Sequence, residues 1–308
     1  MSFSWLFSFL LVIQPAAISE NLIINNQGET IARVELENYT VPIPGLSLID
    51  TEKYLLLVNE LDRLTYEEPK NAYINHQGVV VEGQLGKKLY RKVFTDLFYT
   101  HFYETGASTI ETPILTLYPK VDRDLLLSIR VKQIGQYVTY FNANNKARSH
   151  NIKLSAEAIN NHVVFPGETF SFNHVVGRRT KARGYMRAPV IVKGELSEDI
   201  GGGICQVSST LYNATDRAGL KIIKRYSHSK SVPYVPSGRD ATVSWGGPDF
   251  TFTNPYSFPL LIRAKAIGGQ MIVQIYSSDE LDHEPRSIPE AVKLDTDENV
   301  SDDEALQN

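Results

Sequence analysis

The chain contains a single cysteine, Cys205, in surroundings where a thiol can act as a nucleophile. Three glycines, Gly201 to Gly203, precede it and allow a tight turn whose backbone amides come close to a ligand. Apolar residues then recur at helical spacing, at Val207, Leu211, Ala214 and Ala218, and Gly219 ends the pattern. Cys205 is therefore predicted at the N-terminus of an amphipathic helix, where free N–H groups and the helix dipole lower the pKa of a thiol.

The same glycine-led turn offers backbone N–H groups to the oxyanion of a tetrahedral intermediate, and we predict this role for Gly202, Gly203 and Gln206. Structural alternatives exist, because lone cysteines are mostly buried small hydrophobic residues and glycines also permit close packing. Metal binding is the rival use of cysteine. The sequence has no C-x-x-C and no H-E-x-x-H motif, so we predict no metal and no other cofactor.

A cysteine nucleophile usually works with a histidine that takes and returns a proton. Of the seven histidines, His228 follows the predicted helix most closely, and Asp240 comes twelve residues later. We predict that Asp240 orients the imidazole, which completes a Cys-His-acid arrangement. Arg239 carries a planar fork suited to a substrate carboxylate. The alternatives are a surface or core histidine at 228 and an ion pair between Arg239 and Asp240.

The elements expected around this site give an α+β fold that begins with a helix-and-hairpin domain over 35–120. A helix is predicted over Thr51–Leu64, because Tyr54, Leu55, Val58 and Leu61 recur at helical spacing. A hairpin is predicted around His76-Gln77-Gly78, and a second amphipathic helix after Gly86. A strand over Ile110–Leu117 completes this domain, with Pro113 favouring an edge position.

Residues 121–143 are predicted to connect this domain to a second, strand-rich α+β domain over 144–278. Its central helix starts at the cysteine, and another helix is expected over 146–161. Alternating apolar residues predict strands at 242–245, 250–252, 260–263 and 271–275. Gly268-Gly269 supplies the hairpin turn between the last two strands.

The composition is that of an ordinary globular protein, with 42% hydrophobic and 21% charged residues. From Asp279 onward eleven acidic residues face two basic ones, and the tail 279–308 is predicted to be disordered. The rest of the chain is net basic, which suits an anionic or carboxylate-bearing partner. Nucleic-acid binders show clustered basic runs with interleaved aromatic residues, and the sequence has none, so no nucleic-acid partner is predicted.

Residues 1–19 contain an apolar run from Trp5 to Ile13 followed by small residues, a pattern typical of a signal peptide. The run is short for a transmembrane helix. No Lys or Arg precedes it, so a short uncleaved membrane anchor and a buried first element are the alternatives. We predict an extracytoplasmic protein, secreted or anchored at the cell envelope. An exported chain with one cysteine forms no internal disulfide, so its thiol is either buried or used.

Many separate blocks of the sequence together resemble the VanW family. In order, they are Pro166–Asn173, Val176–Thr180, Gly184-Tyr185, Ala188–Ile191, Gly201–Ala214, His228-Ser229, Val232–Val235 and Gly238–Val243. The resemblance covers roughly 144–265 and is specific because the blocks agree in order. More loosely, 35–120 resembles the peptidoglycan-binding domain that often precedes a VanW domain. One departure is Asn161-His162, where a glycine is expected before Pro166.

The resemblance implies a role at the cell wall. The family takes its name from an accessory position in glycopeptide-resistance gene clusters, which links it to vancomycin resistance. VanW domains have also been linked to L,D-transpeptidation. In that reaction a cysteine attacks a tetrapeptide stem, releases its terminal D-alanine as a thioester forms, and passes the acyl group to a neighbouring amine. The family's motif cysteine matches Cys205.

We therefore predict an exported cysteine acyltransferase acting on peptidoglycan stem peptides, of the L,D-transpeptidase type. Cys205 is the predicted nucleophile, His228 moves protons, and Asp240 orients His228. Substrate contacts are predicted for Arg239, Ser208 and Tyr234. Two alternatives use the same residues: a non-catalytic accessory protein that binds stem peptides, and a cysteine peptidase of the cell wall with water as acceptor. The sequence does not separate transfer from hydrolysis, because pocket shape and water exclusion select the acceptor.

Overall fold

A computed structural model describes residues 21–44, 46–104, 108–192 and 195–293. The predicted signal peptide or anchor at 1–19 and the last part of the acidic tail, 294–308, lie outside these residues. The chain folds into two compact units. The first contains residues up to Asn71 together with Gly83–Lys120, and the second contains Ala72–Glu82 together with the chain from Val121 onward.

The described residues contain both helices and strands, which confirms the predicted α+β class. The α-helices among them are α1 Thr51–Thr65, α2 Arg91–Tyr103, α3 Arg123–Ile129, α4 Lys146–Ile159, α5 Phe172–Val176 and α6 Ile204–Arg217. The strands are β1 Leu22–Asn26, β2 Glu29–Val34, β3 Tyr73–Ile74, β4 Val80–Val81, β5 Gly86–Leu89, β6 Ser108–Glu111, β7 Ile114–Leu117, β8 Lys132–Tyr140, β9 His162–Val164, β10 Thr169–Ser171, β11 Arg187–Val192, β12 Glu195–Ile200, β13 Lys221–Lys224, β14 Thr251–Thr253, β15 Leu260–Ile267 and β16 Gln270–Ser277. Short 3-10 helices cover Leu36–Tyr39 and Lys181–Arg183. In the part of the chain that is described, no helix combines the length and apolar character needed to cross a membrane.

The first unit has a three-stranded sheet in the order β2-β1-β6, in which β6 runs parallel to β1, and a separate pair formed by β5 and β7. Its core is rich in aromatic rings because α2 places Phe94, Phe98 and Phe102 four residues apart on one buried face. Helix α1 starts as predicted, with the Asp50 carboxylate accepting hydrogen bonds from the Glu52 and Lys53 amides.

Two sequence predictions in this unit differ from the structure. The strand expected over Ile110–Leu117 is divided, because Pro113 has no N–H for a ladder. Strand β6 pairs with β1, whereas β7 pairs with β5. Residues 86–89, expected to lead into a helix, form β5, and α2 starts only at Arg91.

The second unit is built on an antiparallel sheet in the order β8-β16-β15-β9. Helices α4 and α6 pack on this sheet and on each other. The domain boundaries differ from those predicted. Residues 121–143 are no simple connector, because they contain α3 and β8, and β8 pairs along its length with β16. The predicted hairpin, β3 with β4, also belongs here, with the Ile74 amide donating to Asn161 Oδ1 at 3.0 Å.

The first half of the predicted disordered tail, 279–293, is ordered on this unit, so that prediction is wrong for these residues. Leu281 is buried, and its carbonyl accepts from Lys132 Nζ at 2.7 Å. The Pro289 carbonyl accepts from the Tyr137 hydroxyl at 2.8 Å. The acidic composition, with its few apolar residues, predicted disorder. A few buried apolar side chains and specific hydrogen bonds offset the entropic cost of ordering this segment.

Helix α6 lies at the centre of the second unit, and its buried face is wider than the stripe that the sequence predicts. Polar residues along it are as buried as the apolar ones: Gln206, Ser208, Ser209, Thr210, Asn213 and Thr215. Each of these side chains has a hydrogen-bond partner, as buried polar groups require. The Thr210 hydroxyl, for example, lies 2.8 Å from that of Thr139 on β8. These bonds fix the position of the helix, and hence of Cys205 in its first turn.

Candidate active site

The glycine-led turn before Cys205 requires its glycines for two different reasons. Gly201 and Gly203 have φ angles of 94° and 104°, a backbone conformation that L side chains rarely adopt. Gly202 instead lies against β11, where a Cβ atom would come within 2.5 Å of two carbonyl oxygens. Asn151, buried on α4, donates to the Gly202 carbonyl at 3.0 Å and to the Met186 carbonyl at 2.9 Å. The turn is therefore held from both sides, and Asn151 is a positioning residue that the sequence analysis missed.

Three amides in this turn have no hydrogen-bond partner among the described residues. The Ile204 and Gln206 amides donate to the carbonyls of Gly201 and Gly203, at 3.3 and 3.1 Å. The amides of Gly202, Gly203 and Cys205 form no hydrogen bond with a backbone carbonyl of the described residues. The predicted oxyanion donors Gly202 and Gly203 thus have free N–H groups, and the amide of Cys205 joins them.

Gln206 does not fit its predicted role. Its amide is used inside the first turn of α6, and its side chain is fully buried. The side-chain oxygen accepts from Arg148 at 2.7 Å, and the side-chain nitrogen donates to the Tyr140 carbonyl at 2.9 Å. Gln206 therefore ties α6 to α4 and β8, which is a structural function.

The structure brings Cys205, His228 and Asp240 together. The imidazole of His228 and the thiol of Cys205 interact, and each shifts the pKa of the other. The His228 Nδ1 lies 2.6 Å from Asp240 Oδ2, and the His228 backbone N–H donates to the same oxygen at 2.6 Å. Since Nδ1 is used by the carboxylate, Nε2 is the ring nitrogen available to the thiol. The side chains of His228 and Asp240 are buried, with exposed fractions of 7% and 9%.

Cys205 has further partners on the segment between β13 and β14, and Thr242 among them was not predicted. The Val243 amide donates to Cys205 Sγ at 3.5 Å, and Sγ lies 3.7 Å from the Thr242 hydroxyl. The strand expected at 242–245 does not form, because its amides bond elsewhere: that of Val243 to the sulfur and that of Thr242 to the Tyr226 carbonyl at 2.7 Å. The only sequence signal for Thr242 was its place in the block Gly238–Val243.

The electrostatics of the pair favour a thiolate beside an imidazolium. Burial raises the pKa of the Cys205 thiol, but the interaction with His228 outweighs it, helped by Val243 and Thr242, so the pKa lies below its usual value. Burial likewise lowers the pKa of His228, yet the thiolate and Asp240 outweigh it, and that pKa is raised. Both shifts are in the direction of a thiolate paired with an imidazolium, which is the direction that an activated cysteine requires.

This predicts how reactivity depends on pH. Because the pKa of Cys205 is lowered, alkylation by iodoacetamide should persist at a pH where free cysteine is largely protonated. In His228→Ala the main stabilising charge is lost while burial remains, so the pKa of Cys205 should rise and the alkylation profile should shift to higher pH. His174→Ala, at an exposed histidine, is the matched control and should leave the profile unchanged. A wild-type profile that matches free cysteine would contradict the ion pair.

Ser208, predicted to contact substrate, instead fastens the Asp240 segment to α6. Its hydroxyl is fully buried and donates to the Ala241 carbonyl. Ser209, which was not predicted, accepts from the Ala241 amide at 2.9 Å and donates to the Cys205 carbonyl at 2.7 Å. The two serines therefore hold the backbone beside Asp240 against the turn that carries Cys205, and Ser208 has no free group for a substrate.

Arg239 also lies away from its predicted position. Its Nε donates to Asn213 Oδ1 and its Nη2 to Asp216 Oδ2, both at 2.7 Å. Asn213 follows Cys205 by eight residues, which is roughly 12 Å along a helix. The guanidinium packs over the Tyr212 ring, 4.6 Å from its centroid. Arg239 thus anchors the loop to the far half of α6 and does not reach the thiol.

Tyr234 is buried beside the reactive groups, as its predicted role requires. The Arg148 guanidinium lies 6.0 Å from the centroid of the Tyr234 ring. Burial and then the negative charge of the Cys205 thiolate raise the pKa of Tyr234. The phenol therefore stays neutral and keeps its proton for donation. Contact with a substrate remains a prediction.

Metal-ligating side chains are not clustered in the part of the chain that the structure describes: no three His, Cys, Asp or Glu side chains there form a group that could hold an ion. The prediction that the protein uses no metal or other cofactor stays a prediction. The chemistry that this site offers from its own residues is that of a thiolate, an imidazole and free backbone amides.

Comparison with known proteins gives matches by family and by sequence. A family model described as "VanW like protein" matches residues 147–276. The uncharacterized protein YoaR of Bacillus subtilis is 59% identical over 281 residues, which cover 91% of this chain and 93% of YoaR. The vancomycin B-type resistance protein VanW of Enterococcus faecalis is 32% identical over 135 residues, covering 42% of this chain and 49% of that protein. No solved structure matches.

Proposed function

This chain belongs to the VanW family, and from that premise we propose that it is an extracytoplasmic cysteine acyltransferase of peptidoglycan stem peptides. The observation that carries the proposal is the grouping of Cys205, His228 and Asp240 at the head of a buried helix: Asp240 bonds to His228 Nδ1, and His228 lowers the pKa of the Cys205 thiol. An activated thiolate beside free amides suits acyl transfer. The extracytoplasmic location rests on the apolar run from Trp5 to Ile13. The reaction type is L,D-transpeptidation.

In the first half of the reaction the Cys205 thiolate attacks the carbonyl carbon of the peptide bond that precedes the terminal D-alanine. The amides of Gly202, Gly203 and Cys205 donate to the oxygen as it becomes negative. The imidazolium of His228 gives its Nε2 proton to the leaving nitrogen. The C–N bond then breaks, D-alanine leaves, and the stem remains on Cys205 as a thioester.

In the second half an amine of a neighbouring stem attacks the thioester carbonyl. His228 takes the proton of that amine, the C–S bond breaks, and the thiolate and imidazolium are restored. Asp240 keeps the proton on Nδ1 throughout, because its Oδ2 accepts from Nδ1 and from the His228 amide. The carboxylate therefore fixes both the orientation and the tautomer of the ring.

A cell-wall substrate is supported by two findings: the family model covers the residues of this site, and one relative is named as a vancomycin B-type resistance protein. Two other functions use the same pocket. A peptidase would run the first half and hydrolyse the thioester with water. An accessory protein would bind the stem peptide without forming a thioester.

Product analysis tests the proposal. Purified protein is incubated with tetrapeptide muropeptides, and released D-alanine and cross-linked dimers are quantified by mass spectrometry. We expect one D-alanine for each dimer, because each transfer releases one leaving group. Release of D-alanine without dimers, even with an added amine acceptor, would assign hydrolysis instead. Formation of neither product would leave only binding.

A further inference from the structure

Arg179 has an unused hydrogen-bond donor in the interior of the second unit. It follows α5, and its Nη1 donates to Asn173 Oδ1 at 2.7 Å. Its Nη2 is buried, and among the described residues it has no hydrogen-bond partner. Buried polar atoms are nearly always paired, and an arginine stays charged, so an unpaired buried guanidinium nitrogen indicates a missing acceptor.

The position of Arg179 connects it to the reactive turn. A Cβ atom built on Gly201 would lie 3.2 Å from Arg179 Cβ and 3.3 Å from Cγ, so the side chain leaves the backbone directly against the turn. The guanidinium lies 5.7 Å from the centroid of the Phe172 ring. Burial lowers the pKa of Arg179, and the Cys205 thiolate acts in the opposite direction, so the two charges interact.

The carboxylate that the fold supplies in this region is committed to other donors. Asp249 accepts from the Ser171 hydroxyl at 2.6 Å and from the Asn173 amide at 2.9 Å. Its charge acts on Arg179, but the contacts of Nη2 do not include it. An anion from outside the chain would supply the acceptor that Arg179 Nη2 lacks among the described residues.

We propose that Arg179, and not Arg239 as the sequence predicts, binds the terminal carboxylate of the acyl donor at Cys205. This inference rests on the proposed function and narrows its substrate class to peptides whose scissile bond precedes the last residue. In such a donor only one N–Cα unit separates the scissile carbon from the carboxylate carbon, a span of about 4 Å. A donor longer by one residue places its carboxylate roughly 3.8 Å further away.

The kinetic test compares two donors. One is a tetrapeptide stem with a free terminal carboxylate, and the other is the same stem with a terminal carboxamide. Arg179→Met should lower kcat/KM for the carboxylate donor by roughly 10- to 100-fold, because a hydrogen bond to a charged group is lost. It should change kcat/KM for the carboxamide donor less than about threefold. Arg178→Met, at the exposed neighbour, is the matched control and should alter neither value.

A second test needs no turnover, so it separates this inference from the proposed function. Cys205 is alkylated with iodoacetate or with its neutral analogue iodoacetamide; in both, an S–C bond forms as iodide leaves. We expect the ratio of the iodoacetate rate to the iodoacetamide rate to be higher for the wild-type protein than for a free thiol at the same pH. Arg179→Met should remove this preference, and Arg179→Lys should keep part of it because the charge remains.

An iodoacetate preference equal in wild type and Arg179→Met, or absent from the wild type, would overturn the inference even if cross-linking is normal. A preference that depends on Arg179 in a protein without cross-linking activity would support the anion site while the proposed function fails. Since Arg179→Met also removes the Asn173 contact, its thermal unfolding is recorded beside that of wild type. If neither variant folds, the ratio of iodoacetate to iodoacetamide rates in the wild-type protein decides whether an anion site lies beside Cys205.

Discussion

Replacing Cys205 with alanine should lower the rate of cross-link formation by at least about 10,000-fold, to the level without enzyme. The reason is that both halves of the proposed reaction pass through a thioester on this sulfur, and no other cysteine exists in the chain. The measurement is dimer formation from purified tetrapeptide muropeptides. The fold should survive, because the thiol is only partly buried and its contacts with Thr242 and Val243 are long.

Cys205→Ser is the matched control for this prediction. Its hydroxyl keeps similar size and hydrogen-bonding capacity, so a binding function should survive it, but at neutral pH a hydroxyl provides far less nucleophile than an activated thiol. We expect Cys205→Ser to retain muropeptide binding while losing nearly all cross-linking. Unchanged cross-linking in Cys205→Ala would refute the acyltransferase. Full function of Cys205→Ser in cells would favour the accessory binding protein.

Asp240→Asn should lower kcat by roughly 100- to 10,000-fold with little loss of the fold. The carboxylate oxygen accepts from both Nδ1 and the backbone N–H of His228 at 2.6 Å. An amide oxygen placed there still accepts from both groups but lacks the charge that stabilises the imidazolium. An amide nitrogen placed there instead donates to Nδ1, which puts the ring proton on Nε2, and leaves the His228 N–H without its acceptor. We also expect the pKa of Cys205 to rise, because the imidazolium that lowers it loses its partner.

The control for Asp240→Asn is Asp216→Asn, which removes a carboxylate from the same unit at the far half of α6. Asp216 pairs with Arg239 and Arg286, each at 2.7 Å, and its pKa is lowered because these bonds outweigh burial. Its loss should cost roughly 1–3 kcal/mol of unfolding free energy, reduced from buried-pair values because Arg286 is half exposed. The pH dependence of Cys205 alkylation should stay unchanged. If Asp240→Asn kept both wild-type kcat and the wild-type alkylation profile, Asp240 would have no positioning role.

The helices of the second unit were largely predictable from local pattern. Helix α6 was expected to start at the cysteine and end before Gly219, and it covers Ile204–Arg217. Helix α4 and strands β14 to β16 also lie where periodicity placed them. Local signals suffice for these elements, because helical spacing, alternation and glycine turns are properties of neighbouring residues. The ordered segment 279–293 was not predicted, because the residues it contacts, Lys132 and Tyr137, are distant in the sequence.

The sequence alone determined the identity of the reactive groups: a lone thiol after three glycines, followed by a histidine and an acid in an order that the structure brings together. Tertiary structure alone decided which neighbours face that thiol. Arg239 and Ser208, chosen by residue type, bond to α6 and to backbone, whereas Thr242 faces the sulfur and Arg179 lies against the turn. For Arg239 and Thr242 the physical reason is that residues 225–250 form no strand, so no regular alternation fixes which way their side chains point. Long-range hydrogen bonds to a buried helix fix it instead.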